Sequence, residues 1–296
     1  MVLLHVKRGD VSQFLYEGSV NTSVEEISRE IVTIYNGQLK VSRVCSEIEE
    51  LSKHGTMLPP EMLGLTEEQV KELQLVDDWG EKCVPSGGWS NSPDPVGRRN
   101  GRSPQSKMQE ILLKTVNEAR LAVSNKLVLE GKTLQHRNIQ DALDLLRGAV
   151  MIVYPMELPP HDPIRMEFAN IEDLTGTQAS LEVIEPAKAQ LWFAGKLMLT
   201  DRKLGDIVGT NEKTKIIIKL AKIEEGAPGR EPVVSEEARK QLMLQAYRRQ
   251  EELKVSNKRP QYDSKSLFYS SVYPIWRKYG TCWLKCHIIS INRDDS

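Results

Sequence analysis

Aromatic residues are scarce in this 296-residue sequence, at 6% of the whole, and six of them crowd into residues 265–296. A core built from the remainder is therefore expected to be mostly aliphatic. Net charge is equally scarce. Forty Lys and Arg meet 41 Asp and Glu and leave -1, without the basic excess that marks nucleic-acid binders. The four cysteines, Cys45, Cys83, Cys282 and Cys286, are too few and too scattered for a disulfide scaffold. No run approaches 18 consecutive apolar residues, so no membrane-spanning helix is expected. Met1 to Arg8 holds a brief apolar run but not the charged start and long apolar stretch of a signal peptide. The expected setting is reducing and cytosolic, with neither membrane nor nucleic acid as partner.

Catalytic constellations are missing as well. His5, His54, His136, His161 and His287 are widely spaced, and none sits in a zincin-type motif. Gly87-Gly88 and Gly97 lack the Lys-Ser/Thr that would hold phosphate and magnesium, and no G-x-S-x-G elbow occurs. The expectation is a non-enzyme with no catalytic residue and no cofactor. Cys282-x3-Cys286-His287 offers two thiolates and an imidazole, yet a structural zinc site needs four ligands. Neighbouring Cys286 and His287 do not easily face one ion, so no metal site is expected. Arg98-Arg99-x-Gly-Arg102 reads as a solvated basic cluster, with contact to an acidic partner or a weak nuclear signal as alternatives.

What is present is patterned apolar sequence. Val2 to Val6 is β-prone, Lys7 to Asp10 reads as a turn, and Gln13 to Tyr16 as the returning strand. Thr22 with Glu25 predicts a capping box, followed by Val24, Ile27, Ile31 and Ile34 at helical spacing, with Asn36-Gly37 closing the helix. Residues 1–37 thus read β-β-α. Residues 38–54 predict a second helix striped by Val41, Val44, Ile48 and Leu51, and Thr66 with Gln69 caps a third. Pro85 to Pro104 is rich in Pro, Gly, Ser and Asn and reads as a flexible loop. Helices are expected at 105–129 and 137–147. Residues 149–153, Ala-Val-Met-Ile-Val, form a continuous apolar run that suits a buried strand. Two strands follow, at 191–196 and 215–220. Ser235 then caps a charged helix running to about Lys254, before a polar stretch and the aromatic tail.

The sharpest local signal is Gln190-Leu-Trp-Phe-Ala-Gly-Lys196, then Leu199, Asp201, Leu204 and Asp206, then Glu212-Lys-Thr-Lys-Ile-Ile-Ile-Lys-Leu220. It resembles the second half of ubiquitin: a strand ending in Phe-Ala-Gly-Lys, a hairpin, a Leu-x-Asp turn and a last strand. Gly195 permits the tight turn, Leu204 can plug the core, and Ile217 faces opposite to Ile216 and Ile218. The missing β-β-α half is available at the N-terminus. The expected fold class is α+β: a ubiquitin-like β-grasp domain of residues 1–37 plus 189–221, split by a mostly helical insertion, 38–188. Residues 222–296 would form a charged helix and a disordered tail. Two separate small domains are the alternative. The ubiquitin resemblance maps Trp192, Ile216 and Ile218 onto a partner-binding face, unless the insertion covers it and makes them core. Conjugation is not expected, because Ala221-Lys-Ile-Glu-Glu-Gly-Ala-Pro follows the strand rather than a terminal Gly-Gly.

Longer blocks extend the comparison. Met1-Val-Leu-Leu-His-Val-Lys-Arg-Gly-Asp10, Trp79-Gly-Glu-Lys-Cys-Val-Pro-Ser-Gly-Gly88, Gly97-Arg-Arg-Asn-Gly101, Leu146-Arg-Gly-Ala-Val-Met-Ile-Val-Tyr-Pro155 and Asp162-Pro-Ile-Arg-Met-Glu-Phe168 resemble the cilia- and flagella-associated protein 298 (Kurly) family over roughly residues 1–254. The tail beyond does not. The resemblance implies a non-enzymatic adaptor for outer dynein arm assembly, ciliary motility and ciliary positioning. It also implies dynein arm assembly factors and chaperone-type complexes as partners. The implied location is the cytoplasm and the basal body, part of the cytoskeleton of motile cilia, with the nucleus as a further location. A structural axonemal component and a ubiquitin-like interaction module in a ubiquitin or chaperone pathway are the rival readings.

Overall fold

The computed structural model describes residues 1–229 and 236–257. Strand β1 (Val2–Arg8) alternates buried Val2, Leu4 and Val6 with partly exposed neighbours, so only one face of it is apolar and covered. Gly9, at φ 59°, turns it back into β2 (Val11–Gly18). Helix α1 follows (Val24–His54), and its cap is Ser23, whose hydroxyl accepts from the Glu26 N–H at 3.2 Å. The cap thus falls one residue later than the expected Thr22.

Helix α1 does not stop at Asn36-Gly37. It runs 31 residues, about 45 Å, so the two helices expected at 22–37 and 38–54 are one. Both supposed stop signals serve tertiary contacts instead. The Asn36 amide donates to the Ile184 carbonyl at 2.7 Å and accepts from the Ile184 N–H at 3.0 Å. A Cβ on Gly37 would lie 2.7 Å from Ile139 Cγ2, so the glycine is where another helix comes close. The real end is Gly55, at φ 79°.

After short helices α2 (Glu67–Glu72) and α3 (Asp78–Lys82), the segment expected as a flexible loop carries a hairpin of β3 (Trp89–Asn91) and β4 (Arg102–Pro104). The expected helix at 105–129 is two: α4 (Ser106–Ala122) and α5 (Lys126–Leu129). Gln38 of α1 donates to the carbonyl of Val123 at the break, at 2.8 Å. Helix α6 (His136–Val153) absorbs the run 149–153, which is therefore not a strand. Ala149, Val150 and Val153 continue the buried stripe of Ile139, Leu143 and Leu146, while Met151 and Ile152 face solvent. That is helical periodicity, hidden because the outward positions are also apolar. Helices α7 (Pro163–Ala169) and α8 (Gln178–Glu182) lead to β5 (Ala189–Phe193), β6 (Lys196–Leu197), α9 (Leu204–Val208) and β7 (Lys215–Lys222).

The main sheet has the order β2-β1-β7-β5-β6, with β1 and β7 parallel and the other pairings antiparallel. A mixed sheet of this order with a helix across one face is a ubiquitin-like β-grasp, assembled from the two segments that flank a long insertion. Its halves are also tied at the start of α1. The Val24 N–H donates to the Arg202 carbonyl at 2.9 Å, and the Leu204 N–H donates to Thr22 at 3.0 Å. Leu204 itself is fully buried. Helix α1 packs on the sheet and on α4 and α6. One apolar cluster therefore runs from Leu4, Val6 and Ile218 through Ile27 and Ile31 to Leu112, Val116 and Leu146. No helix among the described residues is long and apolar enough to cross a membrane.

The chain divides into two units near residue 231. The second contains α10 (Glu236–Asn257), a charged helix whose Leu242, Met243, Leu244, Tyr247 and Leu253 are exposed. The expected cap Ser235 and the tail from 258 onward, with Cys282, Cys286 and His287, lie outside the described residues.

Candidate interaction face

Strand β7 alternates from Lys215 to Leu220. Ile216, Ile218 and Leu220 are buried, at 6%, 0% and 1% exposure, whereas Lys215 and Ile217 face out. The pairings carry this parity across the sheet, because directly opposed residues share a face. Ile216 lies opposite Leu4, and Ile218 lies opposite Val6 and Phe193 on the core side. Ile217 lies opposite His5, and Trp192 lies opposite both Lys219 and Leu197 on the other side.

The three residues expected to form one partner-binding face are therefore not on one face. Trp192 is on the outer face. Ile216 and Ile218 are on the inner face, under α1, and belong to the core. The physical reason is the two-residue period of a strand: a triplet of isoleucines cannot present its first and third members on the same side as its second. The outer residue is Ile217, 48% exposed. Its signal was in the alternation itself.

The Trp192 end of the face is shaped by the β5–β6 hairpin, whose two turn residues, Ala194 and Gly195, are both left-handed at φ 49° and 77°. Behind it lies a groove of about 520 Å³, lined by Trp192, Lys215, Ile217, Lys219, Pro228 and Gly229 among others, and no carboxylate is among its lining residues. The Lys219 ammonium donates to the Gly229 carbonyl at 3.0 Å and lies 3.7 Å from the Asp10 carboxylate. The Trp192 indole N–H is shut off from solvent without an acceptor. A buried donor left unsatisfied costs about 1–3 kcal/mol, a cost that Trp192 carries within the fold. An apolar centre with cations on its rim suits recognition of another chain.

The basic cluster 98–102 is not a solvated loop. Arg99 is 6% exposed. Its guanidinium donates to the Gly55 carbonyl at 2.8 Å and to the Glu47 carboxylate at 2.6 Å, and lies 3.9 Å from Asp162. Asp162 is fully buried. Burial raises its carboxyl above the usual range, opposed by Arg99 and by N–H bonds from Ile164 and Met57. Arg102 donates to the Gly80 carbonyl at 2.7 Å and stacks over Trp89. Only Arg98 stays on the surface. The cluster holds the hairpin against the end of α1. Cys45 and Cys83 are buried thiols, and burial pushes that of Cys45 up to about 11. Among the described residues no group of three or more His, Cys, Asp or Glu is placed to hold a metal ion.

Comparison with known proteins adds a consistent pattern. The family model described as "Cilia- and flagella-associated protein 298" matches residues 189–270, which carries the likeness past the limit near 254 suggested by the sequence blocks. A protein of that name from Drosophila melanogaster is 58% identical over 254 residues, covering 86% of this chain and 87% of its own. Its namesake from Mus musculus is 59% identical over 237 residues, covering 80% and 82%. The Homo sapiens protein is 58% identical over 235 residues, covering 79% and 81%. No solved structure matches the chain.

Proposed function

The chain belongs to the cilia- and flagella-associated protein 298 family, and from that membership we propose that it is a non-enzymatic adaptor of motile cilia. It acts in outer dynein arm assembly and in ciliary motility and positioning. Its working place is the cytoplasm and the ciliary basal body. Its partners are dynein arm assembly factors and chaperone-type complexes. In this reading residues 1–37 and 189–221 form the grasp module, 38–188 the mostly helical insertion, and 222–296 a charged helix and tail.

The observation that supports an adaptor is the outer sheet face, where Trp192 and Ile217 form the apolar centre of a groove. Such a patch is a recognition feature. Helix α1 and the insertion hold the opposite face rigid, so the partner meets a preformed surface. The ubiquitin-like sheet order favours a second version, in which the same face competes for receptors of ubiquitin-like folds.

The test is affinity purification of the full chain from ciliating cells, wild type against Ile217→Asp, with matched melting curves. Loss of assembly-factor partners from a folded variant is the expected result. An unchanged partner set would remove the face from the function. Retention of the wild type in detergent-extracted axonemes, with no cytoplasmic pool, would replace the assembly role with a structural one.

A further inference from the structure

Building on the outer face as the interaction surface, we infer that its occupant is an acidic segment of a partner protein, one that places a single large apolar side chain between two carboxylates. Three observations lead there. The groove lining holds Lys215 and Lys219 and no carboxylate; Asp10 lies 3.7 Å from Lys219 just outside it, so the excess positive charge sits at the Lys215 end and favours anions there. The two lysines lie on one strand, four residues apart and on one face, which places their backbone positions ~13 Å apart at strand rise. Ile217 stands midway between them, with Trp192 across from Lys219.

An extended segment of the form acidic-x-apolar-x-acidic has the same spacing and the same alternation. Lys219 already shows the chemistry it accepts, because its contacts include a carboxylate, Asp10, and a carbonyl, Gly229. A partner carboxylate would extend that set. A polyphosphate or nucleic acid is a poorer match, since apolar Trp192, Ile217 and Pro228 occupy the middle of the groove.

The experiment uses the full chain and a labelled peptide with a Glu-x-Leu-x-Glu core. Controls replace both Glu by Gln, or Leu by Ser. Binding is read by anisotropy and by the indole N–H resonance of Trp192, assigned with Trp192→Phe. The expected result is binding that weakens about tenfold from 50 to 300 mM salt. Either control peptide should bind at least tenfold more weakly, as should the Lys215→Glu chain, whose melting temperature stays unchanged.

Equal binding of the Gln peptide, or no effect of Lys215→Glu, would overturn the acidic occupant. Sedimentation with phosphatidylserine vesicles that depends on Lys215, without peptide binding, would overturn it in favour of a membrane surface. If Ile217→Asp abolishes capture of assembly factors from cells while the peptide fails to bind, the face stands and only the occupant is wrong. If Ile217→Asp changes neither, both fail together.

Discussion

Ile218 and Ile217 are neighbours of identical composition on one strand, yet the first is 0% exposed and the second 48%. The inner face, with Leu4, Val6, Leu191 and Ile218, is closed by α1 and merges into the core of the insertion. The outer face, with Trp192, Ile217 and their flanking lysines, is closed by nothing of comparable apolarity among the described residues. Burying an isoleucine side chain contributes about 1.5–3 kcal/mol, so the inner face accounts for itself through stability. The outer face does not, and in the proposed reading its apolar character serves a partner. Parity, rather than residue type, separates what holds the fold from what the fold displays.

The comparison breaks most visibly if the cover over the inner face is loosened. Arg99 ties the hairpin to Glu47 and Gly55 at the end of α1. Arg99→Met is expected to cost about 4 kcal/mol in urea unfolding, because it leaves buried carboxylate charge unpaired. The loss should depend on pH. Without Arg99, the already raised carboxyl of Asp162 rises further. A folded-state pKa above the unfolded one favours the fold below about pH 4 and loses that favour as pH climbs through the folded value. Arg99→Met should therefore lose less stability in acid than at neutral pH. A loss independent of pH would show that Asp162 is not the group left stranded.

Next in size is the pair at the centre of the comparison. Ile218→Ala is expected to cost about 3 kcal/mol. Ile217→Ala should fall within about 0.5 kcal/mol of wild type. Equal costs would erase the distinction between the faces. Smaller still is the pair of helical glycines. Gly37→Ala improves helix propensity by about 1 kcal/mol but drives a methyl into Ile139, a β-branched neighbour with little room to turn. A net loss of about 1 kcal/mol is expected, since overpacking costs about 1–3 kcal/mol. Gly148, on α6, has open space around it, and Gly148→Ala should gain about 0.5–1 kcal/mol. Stabilisation at both positions would mean that α1 and α6 do not meet closely at Gly37.

Much of the grasp was readable because its signals are local. Strand alternation in Val2, Leu4 and Val6, the Ala194-Gly195 turn and buried Leu204 each sit within a few residues of what they determine. The pairing of β1 with β7 follows once two incomplete halves are seen to need each other. What escaped was set by distant partners. Asn36-Gly37 carries a local stop signal, but Ile184 and Ile139 decide its fate. Residues 149–153 carry no outward polar residue to reveal helical phase. Arg99 sits in a stretch of loop-like composition, and only Glu47 and Asp162, far away in sequence, turn it into a buried tie. For the face itself, the ubiquitin comparison grouped Trp192 with Ile216 and Ile218, which lie on the opposite side of the sheet. It led to Ile216 and Ile218 where the strand period required Ile217.

The most direct measurement is rescue of ciliary motility in cells lacking the endogenous chain, with Ile217→Asp expressed at wild-type abundance and melting temperature. The result expected is a folded, abundant protein that fails to restore beating, while Ile217→Val restores it. Full motility with Ile217→Asp would contradict the outer face as the working surface of the protein.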